Sequence, residues 1–337
     1  MRAKTTFACV ILACSLCISA HPAKKHARRM RRTEPPRVEF KVDDVNNASL
    51  TPVLASGARG SAVVRAQILL DRQHISSGEI DGQFGSNLAK AITVFQTTRN
   101  LPSNGTVDAA TWAVLNQDTA PALTSYEIQP QDVAGPFVKV PAEMMQQATL
   151  PALDYQSAQE ELGERFHCSP KLLEALNPGK QLDQSGQQIM APNVSTPPPG
   201  EAATVVVSKS ESSVEALDRD GHVIAWYAAT IGSEHDPLPI GNWKIKGVQR
   251  NPTFHYNPNL FWDANATDQK AAIKPGPNNP VGLVWIALTK EHYGIHGTPD
   301  PGHIGHTESH GCIRLTNWDA MELAGIVKPG VPAIFKE

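Results

Sequence analysis

The chain is short of cysteine. Five occur among 337 residues, and Cys9, Cys14 and Cys17 all fall within the first twenty, which leaves Cys168 and Cys312 for the body of the protein. Two thiols so far apart make a poor disulfide framework, which excludes a small stapled scaffold and leaves room for a working thiol. Long apolar runs are lacking as well. Phe7–Leu16, the most apolar stretch, falls well short of the roughly 20 residues a membrane-spanning helix needs. Nor does positive charge dominate. Of 30 Lys and Arg, nine lie in residues 1–38 beside one of the 33 acids, so the remainder carries 21 basic and 32 acidic side chains, a net charge of about −11. A body of that sign repels phosphate backbones and excludes nucleic acid as a partner.

The length predicts more than one domain, and the chain divides accordingly. Residues 1–20 have the layout of an export signal: Arg2 and Lys4, the apolar run, then a small-residue exit at Ser19-Ala20. This reading places the mature protein in the periplasm or cell wall. Lipid attachment at Cys14 is a second reading, but Leu12-Ala13-Cys14 matches the attachment box imperfectly. Residues 21–50, which include Lys24, Lys25, Arg28, Arg29, Arg31 and Arg32, read as a disordered basic tether.

Residues 51–120 carry three helical patterns. Ser61 precedes Val63, Val64, Ile68, Leu69 and Leu70. A turn at Gly78–Gly85 leads to Ala89, Ala91, Ile92, Val94 and Phe95, and an Asn104-Gly105 corner to Thr111-Trp112-x-x-Leu115. This succession, with Ile80-Asp81-Gly82-x-Phe84-Gly85 at its first turn, resembles the helical peptidoglycan-binding domain of wall enzymes. Asp81 and Asp108 read as turn and cap residues.

Residues 124–193 run from Tyr126-x-Ile128 through Leu162-Gly163-x-x-Phe166 and Leu172-Leu173-x-x-Leu176-Asn177-Pro178 to Gly186-x-x-Ile189-x-Ala191-Pro192. They resemble a divergent LysM glycan-binding module, a small α+β unit, with extra residues at about 134–157. Residues 194–202, with three consecutive prolines, read as a stiff linker. From 203 to 337 the texture is mainly strand: Val205–Val207, then a hairpin from Val214–Leu217 through Asp218–Gly221 to His222–Ala228, then Trp243–Val248, Leu283–Leu288 and Val331–Phe335.

The chemistry points to residues 296–319. Cys312 lies in Ser309-His310-Gly311-Cys312-Ile313-Arg314, and His296 precedes it in Ile295-His296-Gly297-Thr298. A free thiol with a pKa near 8.5 is only about 3% thiolate at pH 7, so a nucleophilic cysteine needs a base in contact. The Gly- and Pro-rich residues between the two predict a loop that brings them together. Thr316-Asn317-Trp318-Asp319 has the spacing of a helix start. A helix beginning after the cysteine, with an imidazole beside it, predicts at least partial thiolate–imidazolium pairing. Cys168 has no such company and reads as a small buried apolar residue.

These two motifs, together with Pro239-Ile240-Gly241-x-Trp243-x-Ile245, closely resemble the L,D-transpeptidase catalytic (YkuD) family over about residues 203–337. The resemblance implies a β-sandwich-like fold and a cysteine acyltransferase acting on peptidoglycan stem peptides. Cys312 would attack a tetrapeptide donor and release its terminal D-alanine, and an amine acceptor in the wall would then take the acyl group. The partners implied are stem peptides and glycan strands, with a wall-anchored protein as a further acceptor. His296 is then the base, and the Gly297 carbonyl orients the imidazole. Backbone N–H groups at His310-Gly311-Cys312 form the oxyanion site, and Arg314 and Ser309 shape the pocket or hold a carboxylate. Two other classes compete: hydrolysis of the same thioester by water, and a wall-binding protein without activity, which the intact Cys312 and His296 argue against. His296, His303, His306 and His310 match no zinc spacing, so no metal or cofactor is expected.

Overall fold

The structure, a computed structural model, describes residues 40–337. The expected export signal, and the tether as far as residue 39, lie outside the described residues. The tether expected over 21–50 does not extend to its end. Val42–Asn46 form a short helix (α1), and Val45 is fully buried beside Val64 and Ile68. Val42 and Val45 stand three apart, so both turn towards the same core.

The helical unit follows: α2 (Ser61–Asp71), a two-residue strand β1 (Ile75–Ser76), α3 (Ser86–Thr98) and α4 (Ala109–Leu115). Asp108 caps α4 by accepting from the Thr111 N–H at 2.8 Å, and Asp81 accepts from Gln67 Nε2 at 3.0 Å. Helix α2 is apolar on more than one side for a reason. Val63, Ala66, Leu69 and Leu70 enter the core shared with α3 and α4, while Val64 and Ile68 enter a second core on the opposite side.

That second core belongs to β2 (Leu123–Glu127), α6 (Ala158–Arg165), α7 (Pro170–Leu176) and β3 (Gln188–Pro192); α5 (Met144–Gln147), between β2 and α6 in the chain, packs instead with Tyr256 and Ile273. β2 and β3 pair antiparallel, and α6 and α7 start on serine caps, Ser157 and Ser169. Cys168 is buried here, as its surroundings predicted. The prolines of 194–202 are anchored at both ends of their run, by Val194 in this core and by Ala202 in the next.

The C-terminal unit contains β4 (Thr204–Ser208), β5 (Ser213–Leu217), β6 (Val223–Ala228), β7 (Thr230–Ile231), β8 (Gly241–Arg250), β9 (Phe254–Tyr256) and β10 (Ala271–Ile273). It continues with β11 (Val284–Leu288), β12 (Gly294–His296), β13 (Ile313–Arg314), α8 (Asn317–Ile326) and β14 (Pro332–Lys336). Hydrogen bonding runs continuously in the order β1-β6-β5-β4-β14-β8-β11-β12-β13-β7, while β9 and β10 form a separate hairpin. A two-sheet sandwich was the expectation. Here β8 joins the halves: Gly241–Lys244 pair with β14 and Ile245–Arg250 with β11. Both halves send alternate side chains, such as Val205, Val214, Ile286 and Ile295, into one core beneath α8.

The three units share their interiors. β1 adds to the C-terminal sheet, parallel to β6, with Ile75 opposite Trp226. Trp226, Ala228 and Ile304 are buried in the core of the helical unit. Helix α8 meets the other two units through polar contacts: Ser76 Oγ donates to Asp319 Oδ2 at 3.0 Å, His74 Nδ1 lies 2.8 Å from Glu322 Oε2, and His167 stacks on Trp318. No helix among the described residues is long and apolar enough to cross a membrane.

Candidate active site

β12 and β13 bring the two predicted residues to one place. They run parallel, with Ile295 opposite Ile313 and His296 opposite Arg314. Ile295 and Ile313 point into the core and are fully buried. Alternation then turns His296, Cys312 and Arg314 to the other face, where all three line a cavity of about 870 Å3. The loop prediction between them holds in outline, with a single turn of 3₁₀ helix at Pro301–His303.

His296 is almost wholly buried and stacks on Trp285, the residue opposite it on β11, at 5.4 Å between ring centres. Its Nδ1 lies 2.7 Å from the Gly297 carbonyl oxygen. A carbonyl only accepts, so Nδ1 carries the proton and Nε2 is left as the basic nitrogen. The Cys312 thiol donates to the His292 carbonyl at 3.7 Å, and His292 holds a left-handed backbone with φ +65°.

The expected ion pair is not what these surroundings favour. Burial, helped by the Arg314 guanidinium, pushes His296 down to about 3 against the opposing Gly297 carbonyl. Burial also pushes the Cys312 thiol up, with Asp236 adding to the rise and the Gly294 N–H and Arg314 opposing it. Both groups therefore rest neutral at pH 7, because removing water penalises each charged form. The helix start does not alter this: β13 separates Cys312 from α8, whose cap Thr316 is occupied by the Asp319 N–H at 3.1 Å. The midpoint of Cys312 alkylation by iodoacetamide should lie at or above that of a free thiol, and His296→Ala should leave it nearly unmoved. A midpoint near pH 6 that His296→Ala abolishes would restore the pre-formed pair.

The neighbouring motif residues each have a definite contact. Ser309 Oγ donates to the Cys312 carbonyl at 2.6 Å and accepts from the Gly232 N–H at 2.7 Å, so it ties the cysteine loop to the end of β7. His310 Nε2 lies 2.9 Å from Asp263 Oδ1, and its ring meets Phe261 edge-on. Gly311 sits at φ +88°, and an added Cβ would come within 2.8 Å of Tyr293, so conformation and space both require glycine. Arg314 reaches the Glu308 carbonyl at 3.5 Å. His303 turns away to Asp300 and His306 is exposed. His296, His303 and His310 thus have separate partners.

The sequence reading passed over two walls of the cavity. One is the β9–β10 hairpin and the loop within it, where Phe261 and the exposed Trp262 stand near His310. The other comes from the extra residues of the second unit: Ala142, Glu143 and Met144 line the cavity. Glu143 Oε2 accepts from Asn265 Nδ2 at 2.8 Å, and Leu153, Met144, Met145 and Leu150 pack with Tyr256, Phe261 and Ile273. The segment's Met and Leu content was the available signal for a buried face.

Comparison with known proteins defines the class. Residues 202–334 match the L,D-transpeptidase catalytic domain family, YkuD, and residues 59–115 match a peptidoglycan binding domain family. A Bacillus licheniformis YkuD protein is 30% identical over 173 residues, which cover 51% of this chain and 88% of that one. Its Bacillus subtilis counterpart is 31% identical over 166 residues, covering 49% and 85%. A solved L,D-transpeptidase from Xylanimonas cellulosilytica aligns over 84% of this chain and 98% of its own with a TM-score of 0.36 and 14% identity. The chain belongs to the L,D-transpeptidase family and is an enzyme of that class.

Proposed function

We propose that Cys312 is the nucleophile of peptidoglycan cross-linking and His296 its base, acting by proton transfer during attack. The observation that carries this reading is the His296 Nδ1–Gly297 bond, which leaves Nε2 basic on the cavity face that Cys312 also lines. The sulfur adds to the carbonyl of the third residue of a tetrapeptide donor as Nε2 takes the thiol proton. Collapse breaks the C–N bond, and the imidazolium returns that proton to the departing D-alanine amine. An acceptor amine in the wall then attacks the thioester, forms a new amide and releases the thiol. The N–H groups of the His310–Cys312 loop are the proposed oxyanion donors, and Arg314 the holder of a substrate carboxylate. Ser309 sets the loop through the Cys312 carbonyl.

The enzyme is proposed to work outside the cytoplasm on stem peptides and glycan strands, with a wall-anchored protein as a further acceptor. The 124–193 unit keeps the strand–helix–helix–strand order of a LysM-like module. Its burial against α2 supports a packing role as much as sugar contact. Incubation with a disaccharide-tetrapeptide and an amine acceptor should give, by mass spectrometry, free D-alanine and an acceptor adduct in equal amounts. D-alanine with tripeptide and no adduct would replace transfer by hydrolysis.

A further inference from the structure

We propose that Glu164, on the second unit, is a positioning residue for the His296 base and acts through Asn317 and Gly297. The proposal rests on the reading of His296 as the base and adds a part of the chain outside the catalytic domain to that machinery.

Asn317 is the first residue of α8 and is almost entirely buried. Its Oδ1 accepts from the Leu283 N–H at 3.0 Å, where the chain enters β11. The same oxygen lies against the turn that carries the imidazole: a Cβ added to Gly297 would stand 2.2 Å from it, and one added to Gly282 2.1 Å. Asn317 therefore fills the space directly behind Gly297, whose carbonyl holds His296 Nδ1. Any rotation of the Asn317 amide moves the floor on which that carbonyl rests.

Glu164 sets which way the amide faces. Asn317 Nδ2 donates to Glu164 Oε1 at 2.9 Å and Oε2 at 3.1 Å, and to the Pro277 carbonyl at 3.2 Å. The Leu283 N–H needs an acceptor and the two other groups need a donor, so one orientation alone satisfies all of them. Pro277 lies in the catalytic unit, whereas Glu164 lies near the end of α6. The second unit thus reaches to within two residues' contacts of the basic nitrogen. Its neighbour Asn278 is held from the same helix, with Nδ2 donating to Glu160 Oε1 at 2.7 Å.

The test uses the full chain and a disaccharide-tetrapeptide substrate. Glu164→Leu removes both acceptors, and Glu164→Gln keeps one carbonyl for Asn317. Glu164→Leu should lower the rate of Cys312 acylation about tenfold with KM within twofold of the parent, an effect of the size one lost hydrogen bond gives. The Nδ1 proton of His296, shielded by its Gly297 bond, should exchange faster in the same variant by NMR. Glu164→Gln should restore most of both. Parental acylation and exchange in folded Glu164→Leu would overturn the positioning role, as would a loss confined to KM. His296→Ala separates the two ideas: if it turns over normally the base assignment fails, whereas a dead His296→Ala beside an unaffected Glu164→Leu removes only the part given to Glu164.

Discussion

Cys312→Ala should reduce turnover of a disaccharide-tetrapeptide to background, a loss of at least about a thousandfold, while Cys168→Ala keeps most of the parental rate. The contrast follows from where the two thiols sit. Cys312 lines the cavity together with His296, whose basic nitrogen is left without the proton that Nδ1 holds. With the sulfur gone, no covalent intermediate can form, and effects of that size are usual for a missing nucleophile. Cys168 is buried in the core between α6 and α7, and burial raises its thiol pKa far above neutrality. Alanine is the better probe there than serine, because a hydroxyl in that apolar site would lack a ready partner. Intact-mass spectrometry after mixing with substrate checks the covalent step directly: only proteins with Cys312 should carry an acyl adduct. A folded Cys168→Ala protein as inactive as Cys312→Ala would overturn the assignment.

Residues 203–337 expressed alone should fail to form a stable, active domain, with less than a tenth of full-chain turnover. The stiff proline linker, taken by itself, suggests that residues 203–337 fold and react alone. The contacts say otherwise. Removing the first 202 residues strips the β1 partner from β6 and uncovers Trp226, Ala228 and Ile304, each at most 3% exposed in the full chain. A tryptophan alone, at roughly 200 Å2 and 25 cal/mol per Å2, represents about 5 kcal/mol of lost burial, a large share of the 5–15 kcal/mol that usually holds a domain together. The cleft also loses the wall made by Ala142, Glu143 and Met144, together with the packing that supports the β9–β10 hairpin. Thermal melting and dye binding to exposed apolar surface, run beside the turnover assay, provide the check. A truncated protein that melts with the full chain and matches its rate would show that the shared cores are dispensable.

Local chemistry was open to reading in the sequence because it depends on neighbours along the chain. The cysteine count left one thiol in a glycine-rich loop after a histidine. The spacing of Thr316 and Asp319 marked the start of α8, and the Asn-Gly and Asp-Gly corners separated the helices that the period of 3.6 marked out. β12 and β13, by contrast, are three and two residues long, too short to show any alternation, although they carry His296 and abut Cys312. Their parallel pairing exists only once the sheet has formed. The charge state of the pair was decided in the same way. A histidine next to a cysteine suggests an ion pair, but the energy of each charged form is set by how much water remains around it. Trp285 and the packed loops determine that amount from distant parts of the chain. Glu164, the wall at 142–144 and the burial of Trp226 have the same origin, since each depends on which surfaces meet after separate segments have folded, and no periodicity within a segment encodes the identity of its partner.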